Sequence, residues 1–159
     1  PPLSSLTIFL AYVGAAVVRG IVVGAGVLLA ALFFTHSLPV HLLWVLVFTL
    51  LCCWLMGVVG LIAGIWAEKF DQLAGFQNFL ITPLTFLSGV FYSIHSLPAF
   101  WQTLSHFNPF FYMIDGFRYG FLGRSDVAIS TSFIIVMTFT LVLSVFCLQL
   151  LRKGYKLRH

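Results

Sequence analysis

From Leu42 to Trp66 the chain reads LLWVLVFTLLCCWLMGVVGLIAGIW, with no charged residue. A stretch that long and apolar exceeds the roughly 20 residues a helix needs to cross a bilayer. In lipid such a segment must satisfy its own backbone N–H and C=O groups, so it must be helical. Three more apolar runs accompany it. The sequence therefore predicts an all-α, polytopic membrane protein with four transmembrane helices, at about 8–34, 42–66, 73–92 and 127–151, in a single transmembrane domain over 1–159. Composition agrees. Hydrophobic residues make up 61% of the chain and charged residues only 8%, against about 25% charged in an ordinary soluble domain. The 18 Phe alone exceed what one small water-soluble core could hide.

The punctuation between runs is informative. Arg19 interrupts the first run, which is long enough for its helix to start in the cytoplasmic headgroup region, with Arg19 snorkelling or paired near that face. HSLPVH makes a short turn, and AEKFDQ a tight charged connection. Pro83 predicts a kink or local unwinding of the third run near Leu80. Residues 93–126 are too apolar for an ordinary loop and too interrupted by proline to span, which marks a re-entrant or interfacial external segment. Orientation follows from the basic residues. With the C-terminus inside, Lys69, Arg152, Lys153, Lys156 and Arg158 are cytoplasmic and only Arg118 and Arg124 lie outside. Both ends of the chain are then cytoplasmic. The same bias accounts for the net charge of +4 without a nucleic-acid partner.

Catalytic chemistry is not legible. No G-x-x-x-x-G-K-[ST] occurs, and there is no Ser/His/Asp set, HExxH or CxxC. No cofactor, catalytic residue or metal ligand is expected. Cys52, Cys53 and Cys147 read as small apolar filler. His36, His41, His95 and His106 read as interfacial residues, because no spacing matches a metal motif. An ion channel or ion-coupled secondary transporter would call for acidic or histidine residues in mid-span, and the four runs hold no Asp or Glu. That class, and a purely structural subunit of a membrane complex, stand as the alternatives to a transport pathway.

Polar and small residues supply the remaining clues. Asn78, Thr82, Thr85 and Gly89 recur at helical spacing, with Ser88 beside them, and predict one polar face on the third span. The hydroxyls can bond their own backbone, so helix–helix packing explains them equally; Asn78 favours a pathway or a dimer seam. Gly20/Gly24, Gly60/Gly64 and Gly116/Gly120 are spaced for close helix packing within one subunit. Asp115 and Arg118, three apart, could pair on a helix as a solvated couple.

One resemblance organises these features. TPLTFLSGVFYS, LPAFWQTLSHFNPF and YMIDGFRYGFLG, between Thr82 and Gly123, resemble the C-terminal half of type-2 ABC transporter permeases of the NodJ/YadH-like group. The resemblance implies a membrane-spanning permease subunit of a bacterial ABC exporter in the cell inner membrane, working as a homodimer with a separate ATP-binding subunit. Its substrate would be lipid, glycan or drug-like. It further implies that residues 97–107 and 109–122 form two short external gate helices joined at Asn108–Pro109. The implied gate residues are Pro98, Trp101, Asn108, Pro109, Tyr112, Asp115 and Arg118. Pro1 and Pro2, with Arg19, would lie toward the ATPase. Such permeases carry two further spans before this point, and a chain opening on Pro1 reads as a piece of a six-span protein.

Overall fold

The structure, a computed structural model, describes residues 4–154. Pro1 and Pro2 fall outside the described residues. Every regular element among those described is helical, as the sequence requires.

Three helices form the body: α1 (Ser5–Thr35), α2 (Leu42–Trp66) and, last in the chain, α7 (Ile129–Arg152). Each is long and apolar enough to cross a membrane. Ser4 starts α1 by accepting the Thr7 N–H at 3.2 Å, which satisfies one of the donors a helix start leaves free. Glycine allows α1 and α2 to touch: a Cβ on Gly57 would lie 2.9 Å from the Ala16 Cβ, and one on Gly20 would collide with the Cys53 Sγ. α7 closes the bundle against α2, where the Trp54 indole donates to the Ser144 hydroxyl at 3.1 Å.

The segment expected to be the third span differs from α1, α2 and α7. It is helical from Phe70 to Phe86 in three consecutive pieces: α3 (Phe70–Phe76), a π-helical turn (Gln77–Ile81) and α4 (Thr82–Phe86). Pro83 has no N–H to donate, so the backbone widens one turn earlier and the Thr82 N–H and hydroxyl both reach the Gln77 carbonyl. The expected local unwinding is therefore present. The helix also stops short: residues 87–92 form turns, with Gly89 left-handed at φ 79.

Two short helices follow, α5 (Ala99–His106) and α6 (Pro109–Leu122), with Asn108 between them. Proline sits at the first position of α6, where the absence of its N–H costs nothing. α6 lies close along α2. A Cβ on Gly116 would collide with the Phe48 ring, and one on Gly120 would come within 2.8 Å of the Val45 backbone nitrogen. The Gly116/Gly120 pair thus serves packing within the chain, as does Gly20. Among the described residues Gly24, Gly60 and Gly64 meet no neighbour, since a Cβ at any of them would find nothing within 4 Å.

The apolar core has two parts. Phe48, Leu55, Ile94, Phe111, Met113 and Val136 bury one cluster beneath the short helices. Phe9, Val13, Val58, Cys147 and Leu151 bury the other, near the start of α1 and the end of α7. The α1–α2 turn joins the first end: the His41 N–H donates to the Gly120 carbonyl at 2.8 Å, and the His41 ring stacks on Tyr119. The turn at 36–41 and the segment 93–126 therefore share one end of the bundle.

Candidate functional site

The end carrying α5 and α6 is also where polar chemistry gathers. Asp115 of α6 is fully buried. Its Oδ1 accepts the Asp126 backbone N–H at 2.6 Å, and its Oδ2 accepts the Ser132 hydroxyl of α7 at 3.2 Å. Burial pushes its carboxyl above the ordinary carboxylate range, with the Asp126 charge adding to this, while hydrogen bonding from the Asp126 and Val127 backbone and from Ser132 pulls it back. Arg118, one turn on, donates to the Asp126 carboxylate at 3.2 Å and to the Gly89 carbonyl at 2.5 Å. Ser93 also donates to Asp126, at 3.3 Å. One lattice thus ties the turn after α4, helix α6 and the start of α7.

This corrects the sequence expectation for Asp115 and Arg118. They are not a solvated pair. Each turns to Asp126 instead, one to its backbone and one to its carboxylate. Asp126 and Ser132 were missed from sequence because each sits at the edge of an apolar run and matches no motif. The scarcity of acid in this chain, four Asp and Glu in all, was the available signal.

The turn at Asn108 is tied just as closely. Asn108 is nearly fully buried. Its side-chain Oδ1 accepts the Phe110 N–H at 3.0 Å, capping α6, while its Nδ2 donates to the Leu84 carbonyl at 2.6 Å. Leu84 lies in the last turn of α4, where backbone carbonyls lack helical partners. Tyr112 donates its hydroxyl to the His106 carbonyl at 2.9 Å and so closes the end of α5. Asn108, Pro109, Tyr112, Asp115 and Arg118 thus lie along α6 and its N-cap, and all of them but Pro109 bond residues outside that helix. Pro98 and Trp101 do not: both are exposed on α5 or at its start, in line with Phe100, Leu104 and Phe107.

The polar face of the third segment is only partly a face. Thr82 and Thr85 bond their own helix, to Gln77 and Ile81, and Ser88 bonds the Thr85 carbonyl. Asn78 is exposed, and its side chain hydrogen-bonds no described residue. Gly89 is off the helix altogether, because α4 ends at Phe86, and it joins the Arg118 lattice instead. Arg19 also departs from expectation. It lies halfway along α1, level with Cys53 of α2, not near the end of the helix where an ATPase contact was expected.

Comparison with known proteins identifies the family. The ABC-2 type transporter family matches residues 1–122. The inner membrane transport permease YadH of Escherichia coli K12 is 41% identical over 157 residues, which is 99% of this chain and 61% of that protein. Nodulation protein J of Rhizobium leguminosarum bv. trifolii is 34% identical over 104 residues, 65% of this chain and 39% of that protein. The chain thus spans about 61% of the length of YadH. No solved structure matches. An ABC-2 match over most of the length, with 41% identity to a transport permease, shows that the chain belongs to the ABC-2 type transporter family.

Proposed function

We propose that this chain is part of the membrane-spanning permease of a bacterial ABC exporter, supplying pathway and external gate while a separate ATP-binding subunit supplies the energy. Residues 70–92 make the fourth crossing. The helical part, Phe70 to Phe86, covers about 25 Å at 1.5 Å per residue, and the turns to residue 92 complete the passage. The bias of the basic residues supports a topology with both ends of the chain cytoplasmic and the α5–α6 hairpin outside. α5 and α6 dip into the outer leaflet and return, with Asn108 at the deep turn, beside Leu84 of α4. The exposed Phe100, Trp101, Leu104 and Phe107 meet acyl chains there. A second copy of the permease completes the pathway, and the Asn78–Thr82–Thr85 face borders that path or the seam between copies.

The observation that carries the reading is Arg118. It bonds the Gly89 carbonyl above α4 and Asp126 before α7 at once. When the ATPase subunits close, the cytoplasmic ends of α3 and α7 move. Arg118 delivers that motion to α6, which shifts as a rigid helix. Reconstitution of the complete permease with its ATP-binding partner tests this. Arg118→Ala should lower export at least about tenfold while leaving ATP hydrolysis and membrane assembly in place, as expected when a coupling contact is cut. Export at the natural rate by that variant would refute the coupling.

A further inference from the structure

Ser105 is the only buried residue of α5. A helix in a folded protein normally buries its apolar stripe, and α5 does the reverse. Phe100, Trp101, Leu104 and, just past the helix, Phe107 are exposed, while a hydroxyl is tucked inside. That hydroxyl has no hydrogen-bond partner, and among the described residues no other buried side-chain oxygen or nitrogen lacks one. Ser88, Asn108, Asp115, Ser132 and Thr140 are buried too, and each has its bond. Ser88 and Thr140 donate to nearby backbone carbonyls. Thr103, two residues before Ser105, does the same to the Ala99 carbonyl at 3.0 Å. Ser105 thus forgoes a bond that its own helix supports at a neighbouring residue.

A buried donor without a partner disfavours the state that contains it by about tenfold. That cost falls on the hairpin only while α5 is docked. The bonds that join α5 to α6 and its cap lie at one end, where Tyr112 donates to the His106 carbonyl at 2.9 Å and the Asn108 N–H to the Ser105 carbonyl at 3.0 Å. Once α5 parts from α6, the Ser105 hydroxyl can bond water or the Trp101 carbonyl one turn back. We infer that Ser105 is a built-in bias of the hairpin: its unpaired hydroxyl destabilises the docked state and favours the parting of α5 from α6. Tyr112 acts in the opposite sense, so the two residues set the balance between docked and parted. The inference rests on the reading of α5 and α6 as the external gate, and adds to it a residue that promotes opening.

Three variants of the full-length permease test it. Ser105→Ala removes the hydroxyl and keeps the packing. In detergent it should raise the melting temperature by about 2–4 °C. Thr103→Ala, on the exposed face of the same helix, controls for helix propensity and should gain less. Reconstituted with the ATP-binding partner, Ser105→Ala should export about tenfold more slowly, because the docked hairpin no longer carries the unpaired group. Thr103→Ala should export at the natural rate. Ser105→Cys, as the single cysteine, should react with an aqueous maleimide severalfold faster during ATP turnover than at rest. A melting temperature lowered or unchanged by Ser105→Ala would overturn the inference, because the hydroxyl would then be satisfied where it lies. So would a raised melting temperature with export at the natural rate, or a thiol that labels equally at rest and in turnover. The melting comparison needs no transport. Failure of the exporter reading would therefore show separately, as no export by the natural complex with the melting order intact.

Discussion

Asp115 grips Asp126 by its backbone: the Asp126 N–H donates to the Asp115 Oδ1 at 2.6 Å while the Asp126 side chain turns away to Arg118. Two acids therefore sit side by side without sharing a cation. The arrangement fixes the approach to α7 at its first residues, because the same carboxylate also holds Ser132. It makes Asp115 a positioning residue for the hairpin and leaves Arg118 free to bridge α4 to α7.

Replacing Asp115 should separate hydrogen bonding from charge. Asn keeps an acceptor for the Asp126 N–H and can donate to the Ser132 hydroxyl. Ala strands both buried partners at about 1–3 kcal/mol. Thermal unfolding in detergent should therefore rank Asp115→Ala well below Asp115→Asn. Equal losses in the two variants would show that these bonds contribute nothing.

The same residue sets a pH dependence. Burial raises the Asp115 carboxyl above its unfolded value. Its contribution to stability is thus fully present below the ordinary carboxylate range and is lost as pH rises through the raised value. Asp115→Asn removes that loss. The variant should gain on the natural chain as pH increases from the acid side, and a difference that stays flat, or moves the other way, would count against a raised carboxyl.

Much of this architecture was legible because lipid leaves a chain few options. The three long helices follow from apolar length alone, and the α5–α6 break from Asn108–Pro109. The unwinding before Pro83 also came from one missing N–H. What escaped was anything decided by side chains meeting across the fold. Nothing in DGFR says that Asp115 would bond a backbone N–H eleven residues on and leave Arg118 to Asp126. Gly89 looked like part of a helical stripe because its spacing fitted; α4 has already ended at Phe86, and Gly89 sits in the turn that follows, at a left-handed φ and with its carbonyl held by Arg118. Spacing gave Gly60/Gly64 and Gly116/Gly120 the same status, yet only the second pair meets a neighbour here.

Gly116 offers a packing test. A methyl group there would collide with the Phe48 ring. Gly116→Ala should cost about 1–3 kcal/mol through overpacking. Phe48→Leu should recover part of that loss, so the double variant should be more stable than the sum of the singles. Strict additivity of the melting shifts would show that α6 and α2 do not press together at this point.

Gly89→Ala probes the turn after α4. The residue's φ of 79 is costly for any side chain, by about 1–2 kcal/mol. The added Cβ would also stand 3.3 Å from the Tyr92 carbonyl and 3.5 Å from Arg118. Export should fall with Arg118→Ala, and combining the two should add little, since both cut the same contact. Independent, additive losses in transport assays would separate Gly89 from the Arg118 contact.

The turn at Asn108 can be divided into its two bonds. Asn108→Asp keeps an oxygen to cap the Phe110 N–H but sets a carboxylate oxygen against the Leu84 carbonyl, where Nδ2 now donates. α6 should still form, so protein recovered from membranes should stay near the natural level. The tether to α4 should be lost, and export with it. Replacing both Asn108 and Pro109 by Ala removes cap, tether and break together. α5 and α6 can then run on as one helix, which should abolish export while leaving α1, α2 and α7 inserted. Cysteines at Leu84 and Pro109 would report the separation directly, crosslinking in the natural sequence background and failing to do so with Asn108→Asp. Full export by Asn108→Asp, with crosslinking unchanged, would mean that the hairpin moves without being held to α4, and the gating turn would have to be abandoned.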